Sequence, residues 1–240
     1  MLLGVVLLVG LAAGGFVLSR PVALVPASAS AGIGLEGGSP AHVAAVHAVA
    51  NAAPERRTTI IAWQPSHQAD TGADWKEYVI CGDIVDRVIA LLPEFTHVKA
   101  WETGMGLSGS NGYRPQPKNA PAFDSEVSQA NSANAAVFIS VHNDGGAPSG
   151  ILGMCMPGDA TSRALAERLK AALVLATKLP DRGIREERLY SLEPERNKAG
   201  TRLLLEIGDN KADRAFLLDE ANRQAIAVAL ADSLRESDLP

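Results

Sequence analysis

Residues 135–146, AAVFISVHNDGG, constrain the fold more than any other part of this 240-residue chain. The first half of the segment is an almost unbroken apolar run, which is typical of a strand covered on both faces. Three polar residues, His142, Asn143 and Asp144, follow it directly. Open α/β sheets bind ligands just beyond the carboxyl ends of such strands. We therefore expect these side chains to face a crevice.

Two other apolar runs end in the same way. Residues 60–63 lead to His67, and residues 203–205 lead to Glu206. A single histidine at a strand end is most often a hydrogen-bonded structural residue. A carboxylate beside three leucines is harder to explain, because a buried charge needs a cation, hydrogen bonds or a raised pKa. Together, the three runs indicate a functional site.

Strand patterns alternate with helical patterns along the rest of the chain. This alternation predicts a single α/β domain with a mostly parallel, twisted sheet of about six strands and helices on both faces. Long loops in compact domains are usually functional or disordered, and residues 103–121 form such a loop. The charge-dense segment 182–197 is interpreted as a solvated charged loop, and the alternative is that its arginines, Arg185 among them, contact an anionic substrate. The other segments are strands at 58–63, 97–102, 150–156 and 202–207, and helices at 74–91, 124–134, 160–178 and 215–234.

The first of these helices begins near Asp74 and Glu77, which have the D-x-x-E spacing of a capping pair. Glu77 also lies on the apolar stripe that Ile80 and Cys81 continue. Two interpretations stay open. Glu77 is either a capping residue that binds nothing, or it points a carboxylate at the strand ends.

The amino-terminal part of the chain indicates export. Residues 2–18 are apolar or glycine throughout, and A-x-A patterns at 27–31 resemble a cleavage site. We interpret 1–20 as a signal peptide or a membrane anchor, 21–57 as a low-complexity linker and 58–240 as the catalytic domain. The net charge of -5 gives no basic surface for nucleic acid. Two cysteines, Cys81 and Cys155, are interpreted as unpaired buried thiols.

Three segments carry a resemblance to a known family: QPSHQADTGADWKEY, ANSANAAVFISVHND and RLLLEIGDNKADRAFLLDEANRQAIAVALADSL. From about residue 58 to 234 the chain resembles the zinc-dependent N-acetylmuramoyl-L-alanine amidases, cell-wall hydrolases with a twisted α/β sheet. The resemblance implies that His67, Glu77 and His142 hold one zinc ion per chain and that Glu206 is catalytic. Asn143 and Arg185 are the residues that we expect to bind substrate.

The implied reaction is hydrolysis of the amide bond between N-acetylmuramic acid and the L-alanine of the stem peptide. Two imidazoles and a carboxylate leave the fourth position of zinc open, as hydrolytic sites require. Glu206 would accept a proton and return it to the leaving amine. The implied partner is peptidoglycan, met outside the cytoplasm, with membrane contact through the amino terminus if it is uncleaved. The oligomeric state is left open.

Two alternatives remain at this point. Asp70 rivals Glu77 as the third ligand, because H-x-x-D resembles the H-x-x-E pair of zinc carboxypeptidases. A peptidase of that type would use His67, Asp70 and His142. The non-enzymatic alternative is a catalytically silent wall-binding or regulatory module.

Overall fold

The computed structural model describes residues 56–66, 76–100, 120–146 and 148–240, of which 120–125 are described by their helical backbone alone. All of them belong to one compact unit, residues 53–240. The predictions for 1–20, His67, Asp70, Asp74 and most of 21–57 and 103–121 lie outside the described residues. Within those residues, no helix is long and apolar enough to cross a membrane.

Six strands form one sheet in the order β2-β1-β3-β6-β4-β5. Every neighbouring pair is parallel except β4 and β6, which run antiparallel. The predicted sheet, mostly parallel with about six strands, is therefore confirmed. The strands are β1 (Ile60–Pro65), β2 (Thr96–Lys99), β3 (Val137–Asp144), β4 (Ile151–Cys155), β5 (Asp181–Glu186) and β6 (Thr201–Asp209).

In the part of the chain that the structure describes, five α-helices and one short 3-10 helix, Tyr190–Leu192, pack on the sheet. Alternate residues of a strand point to opposite faces, so each central strand contributes to two cores. Val137, Ile139 and Val141 belong to the larger core, whereas Phe138 belongs to a smaller core on the opposite face. The helices are α1 (Glu77–Leu91), α2 (Ala120–Ser132), α3 (Ala160–Thr177), α4 (Arg214–Leu218) and α5 (Glu220–Arg235).

The larger core lies between the sheet and the helices α1, α3 and α5. These helices contribute Ile84, Leu169 and Leu230 to it, respectively. The smaller core contains Ala130 of α2 and Leu192 of the 3-10 helix. Both faces of the sheet are thus covered, as expected for a sheet with continuous apolar strands. We call the side with the smaller core the second face.

Two details differ from the sequence prediction. Residues 181–186, interpreted as part of a charged loop, form the edge strand β5, whose side chains are exposed or half-buried. The single helix predicted at 215–234 is interrupted at Asp219, which is extended and caps α5 through bonds to Ala221 N and Asn222 N. Leu175 of α3 is 71% exposed although its neighbours Leu169 and Leu173 are buried. Both cysteines are free and buried, as predicted.

Candidate active site

His142 and Glu77 meet at the carboxyl ends of the parallel strands. The Nδ1 atom of His142 lies 3.4 Å from Oε1 of Glu77. That separation is long for a hydrogen bond. It is close to the roughly 3.3 Å between two ligands that each stand about 2.0–2.1 Å from a tetrahedral zinc ion. Both residues are buried, and Glu77 has no exposed surface. The pair therefore fits two positions of a zinc site.

The carboxylate of Glu77 is directed by contacts with strand ends. Glu77 is the first residue of α1, and its Oε1 accepts a hydrogen bond from Asn143 N at 3.1 Å. Its Oε2 accepts one from Asn210 Nδ2, also at 3.1 Å. Of the two interpretations left open by the sequence, the structure has the carboxylate pointing at the strand ends.

Glu206 lies on β6 directly beside His142 of β3, with its antiparallel neighbour Leu152 on the other side. Residues in register share a face, and Leu152 belongs to the core of the second face. The Oε2 atom of Glu206 is buried and has no hydrogen-bond partner among the described residues. Burial raises the pKa of Glu206 well above its ordinary value, and the negative charge of Glu77 adds to this effect. A carboxyl group in this state is suited to holding and releasing a proton.

The two predicted substrate-binding residues occupy different places. Asn143 is buried, its backbone bonds Glu77, and its side-chain nitrogen and oxygen lack partners among the described residues. Arg185 lies on β5 in register with Met154, which places it on the second face. Strand spacings of about 4.8 Å and rises of about 3.3 Å put its Cα about 12 Å from that of Glu206. Its side chain is 53% exposed and lies 3.8 Å from Glu187.

Sequence reasoning missed two residues of this site, Asn210 and Arg182. Asn210 lies at the carboxyl end of a central strand, as Asp144 does, and that position was a usable signal. Asp144 Oδ2 accepts from Arg182 Nη2 at 2.8 Å, and the other terminal nitrogen of Arg182 is buried without a partner among the described residues. The charges of Arg182 and Arg185 partly offset the rise in the pKa of Glu206. Nothing local in the sequence distinguished Arg182 from the arginines around it.

A buried polar network underlies the site on the second face. Ser140, two residues before His142, donates from Oγ to Oε1 of Gln64 at 2.8 Å. Gln64 Nε2 in turn donates to Oε2 of Glu126 on α2. All three residues have no exposed surface. The network ties α2 to the two strands that lead to His67 and His142.

Cys81 is another metal-competent side chain near Glu77. It follows Glu77 by one helical turn, and burial raises the pKa of its thiol well above the ordinary value, with Glu77 and Glu206 adding to the effect. In the described part of the chain, no group of three or more His, Cys, Asp or Glu side chains forms a complete metal site. Glu77 and His142 supply two donors, and His67 lies outside that part.

The fold is shared with solved cell-wall amidases. The catalytic domain of CwlV, from Bacillus (Paenibacillus) polymyxa var. colistinus, is 22% identical with a TM-score of 0.59, covering 75% of this chain and 97% of that one. AmiC2 of Nostoc punctiforme is 20% identical with a TM-score of 0.58, covering 75% and 97%. CwlD of Clostridioides difficile, solved with the GerS lipoprotein, is 17% identical with a TM-score of 0.59, covering 75% and 98%. At these low identities, the structural similarity shows that the fold is shared.

No curated protein sequence matches this chain. A family model described as N-acetylmuramoyl-L-alanine amidase matches residues 113–236, which is more than half of the 240 residues. The match includes His142 and Glu206, and it begins after Glu77. The resemblance seen in the sequence is confirmed: the chain belongs to the N-acetylmuramoyl-L-alanine amidase family.

Proposed function

We propose that this protein is a zinc-dependent hydrolase that cleaves the amide bond between N-acetylmuramic acid and the L-alanine of the stem peptide. The observation that carries the proposal is the approach of His142 Nδ1 to Glu77 Oε1 at 3.4 Å beside Glu206, whose Oε2 atom is buried. An oxygen and a nitrogen donor at this separation suit zinc. Membership of the amidase family supplies the substrate class.

The proposed zinc ligands are His67, Glu77 and His142, with one ion per chain. Zinc contributes Lewis acidity, which polarises a carbonyl group and makes water more acidic. The protein contributes a carboxylate without exposed surface, whose two oxygens are already oriented by Asn143 and Asn210. Burial in a protein interior strengthens each of these electrostatic interactions.

Glu206 is the proposed general base and acid. Its unpartnered Oε2 accepts a proton from the attacking water and then delivers it to the leaving nitrogen of L-alanine. The raised pKa favours the second half of this exchange, because the carboxyl group must hold the proton until it reaches the leaving nitrogen. Its place beside His142 puts the proton transfer next to the proposed metal ligands.

The substrate is proposed to lie along the second face. Arg185, about 12 Å from Glu206, is three or four extended residues away, at about 3.3 Å each. Its exposed guanidinium group suits a carboxylate of the stem peptide. Asn143, the other proposed substrate contact, offers an amide without partners among the described residues.

We also propose that the protein acts outside the cytoplasm. The support is the uncharged apolar segment 2–18 and membership of a cell-wall amidase family. The segment acts either as a cleaved signal or as a retained anchor. The amino-terminal sequence of protein recovered from the secreted and membrane fractions distinguishes the two.

The test is zinc content together with product analysis. The full chain is dialysed without chelator, its zinc is measured, and purified peptidoglycan is digested and examined for new amino-terminal alanine. We expect about one zinc per chain and release of stem peptides from glycan. Glu77→Ala and His142→Ala should lose both zinc and activity. Asp70→Ala should retain both.

The matched control is Glu94→Gln, which removes a buried carboxylate that binds Arg235 away from the site. It should keep its zinc and its activity. Zinc that disappears with Asp70→Ala and persists in Glu77→Ala, together with cleavage at peptide ends, would favour the carboxypeptidase alternative. Wild-type protein with neither zinc nor product would leave the wall-binding alternative.

A further inference from the structure

The orientation of Glu77 is fixed from outside its own helix. Glu77 is the first residue of α1, and Lys76 before it has extended backbone and makes no side-chain capping bond. Helical hydrogen bonds join backbone groups, so they do not set the direction of the Glu77 side chain. The contacts that direct this carboxylate come from residues that follow β3 and β6, far along the chain.

Asn210 is the side chain that makes the decisive contact. It follows β6 directly, has no exposed surface, and its backbone N donates to Asp144 O at 2.8 Å. Its Nδ2 donates to Oε2 of Glu77 at 3.1 Å and reaches the carbonyl oxygen of Asn143 at 3.4 Å. Both neighbours of the amide are acceptors, so the nitrogen must face them and the flipped amide is excluded.

We propose that Asn210 is the positioning residue of Glu77. By taking Oε2, it leaves Oε1 facing His142 Nδ1. A neutral amide satisfies one carboxylate oxygen without cancelling its negative charge, whereas a lysine or arginine would compete with a bound cation. Hydrogen bonds from such outer residues orient metal ligands and raise their affinity for the metal. This inference rests on the proposed zinc site.

A purely structural role does not explain the hydrogen bonds of Asn210. Its Oδ1 is buried without a hydrogen-bond partner among the described residues, and such an atom lowers stability. Asn197 offers the comparison, because it is equally buried and uses both ends of its amide. Asn197 Nδ2 donates to Ser191 O at 2.8 Å, and its Oδ1 accepts from Ala199 N at 3.1 Å. The side-chain hydrogen bond that distinguishes Asn210 from Asn197 is therefore the one to Glu77.

The test compares Asn210→Ala and Asn210→Leu with wild type and with the matched control Asn197→Ala. Leucine keeps most of the volume and removes the donor. The full chain is stripped of metal, zinc affinity is measured by competition with a chromophoric chelator, and thermal unfolding is recorded with and without added zinc. We expect both Asn210 variants to bind zinc about 10–100-fold more weakly. Asn197→Ala should unfold at lower temperature and bind zinc as wild type does.

The outcomes separate this inference from the proposed function. Wild-type zinc binding with unchanged affinity in the Asn210 variants would overturn the inference and leave the zinc site standing. The inference would also be overturned if the Asn210 variants unfolded below the wild type by the same amount with and without zinc, or if both variants failed to fold. Either result would make Asn210 a structural residue. Absence of zinc from the wild type would overturn both proposals.

Discussion

His142 and Glu206 are direct neighbours across the pairing of β3 with β6. Their Cα atoms are therefore about one strand spacing apart, roughly 4.8 Å, and their side chains leave the same face of the sheet. One of these residues is a proposed zinc ligand and the other the proposed proton carrier. Two rigid central strands thus set the relation between the metal site and the acid–base group, and no loop intervenes.

Replacement of Glu206 by glutamine should separate metal binding from catalysis. The amide has nearly the same shape but accepts no proton, so we expect kcat to fall by about 10²–10⁴-fold. Zinc content should stay at the wild-type level, because Glu206 is not a proposed ligand. Amide hydrolysis rates and zinc analysis on the same preparation check this. Full activity of Glu206→Gln would contradict the assigned mechanism.

Replacement of Arg185 by alanine should affect substrate binding alone. The side chain is half exposed and its ion pair with Glu187 at 3.8 Å contributes little to stability. We expect KM for stem-peptide substrates to rise several-fold, with kcat and the unfolding temperature nearly unchanged. Substrates whose stem carboxylates are amidated serve as the control, because wild type and variant should then behave alike. An unchanged KM on carboxylate substrates would remove Arg185 from the substrate site.

The central strands were predictable because burial on both faces leaves a continuous apolar run. This signal identified β3 and β6 and, with them, His142 and Glu206. The edge strand β5 was missed, because a strand with solvent on one side carries charged residues that resemble a loop. Asn210 and Arg182 were not predicted as site residues for another reason. Their roles arise from contacts with Glu77 and Asp144, which are remote in sequence.

Gly150, which directly precedes β4, should be one of the least replaceable glycines of the described residues. Its φ is +128°, and an added Cβ would lie 2.4 Å from the backbone oxygen of Pro180. Backbone strain and overlap together predict that Gly150→Ala lowers the free energy of unfolding by about 2 kcal/mol or more. Gly158 is the matched control, because its φ is also positive and nothing lies within 4 Å of the added Cβ.

Gly158→Ala should lower the free energy of unfolding by about 1 kcal/mol, the strain alone. Chemical denaturation of both variants and the wild type checks the difference. Equal effects of the two substitutions would show that the contact with Pro180 relaxes freely.

Asp83 should contribute to stability at neutral pH and lose that contribution in acid. Burial alone would raise the pKa of its carboxyl group, but hydrogen bonds from Arg87 and Arg223 outweigh it and hold the pKa below its ordinary value. The distances are 3.0 and 2.6 Å, and the second bond ties α1 to α5. Because the pKa of Asp83 is lower in the folded state than in the unfolded state, ionised Asp83 stabilises the fold at pH values above its unfolded-state pKa, near 4. This stabilisation is lost as the pH falls from there through the folded-state pKa.

Asp83→Asn should therefore unfold at a lower temperature than wild type at pH 7. The difference between the two proteins should shrink below about pH 4, where the wild-type carboxyl group becomes protonated. Thermal unfolding recorded from pH 7 to pH 3 checks this. A difference that stays constant across the range would show that the ion pairs contribute nothing.

The strand β6 is the last to appear in the chain, yet it lies between β3 and β4. Until it inserts, the pieces β2-β1-β3 and β4-β5 share no hydrogen-bonded strand. Pairings between such distant segments form slowly, because loop closure must come first. The proposed catalytic carboxyl and the amide that orients Glu77 both arrive with this strand. Before β6 is inserted, the fold therefore lacks both groups, and the proposed centre forms only when this strand joins the two parts of the sheet.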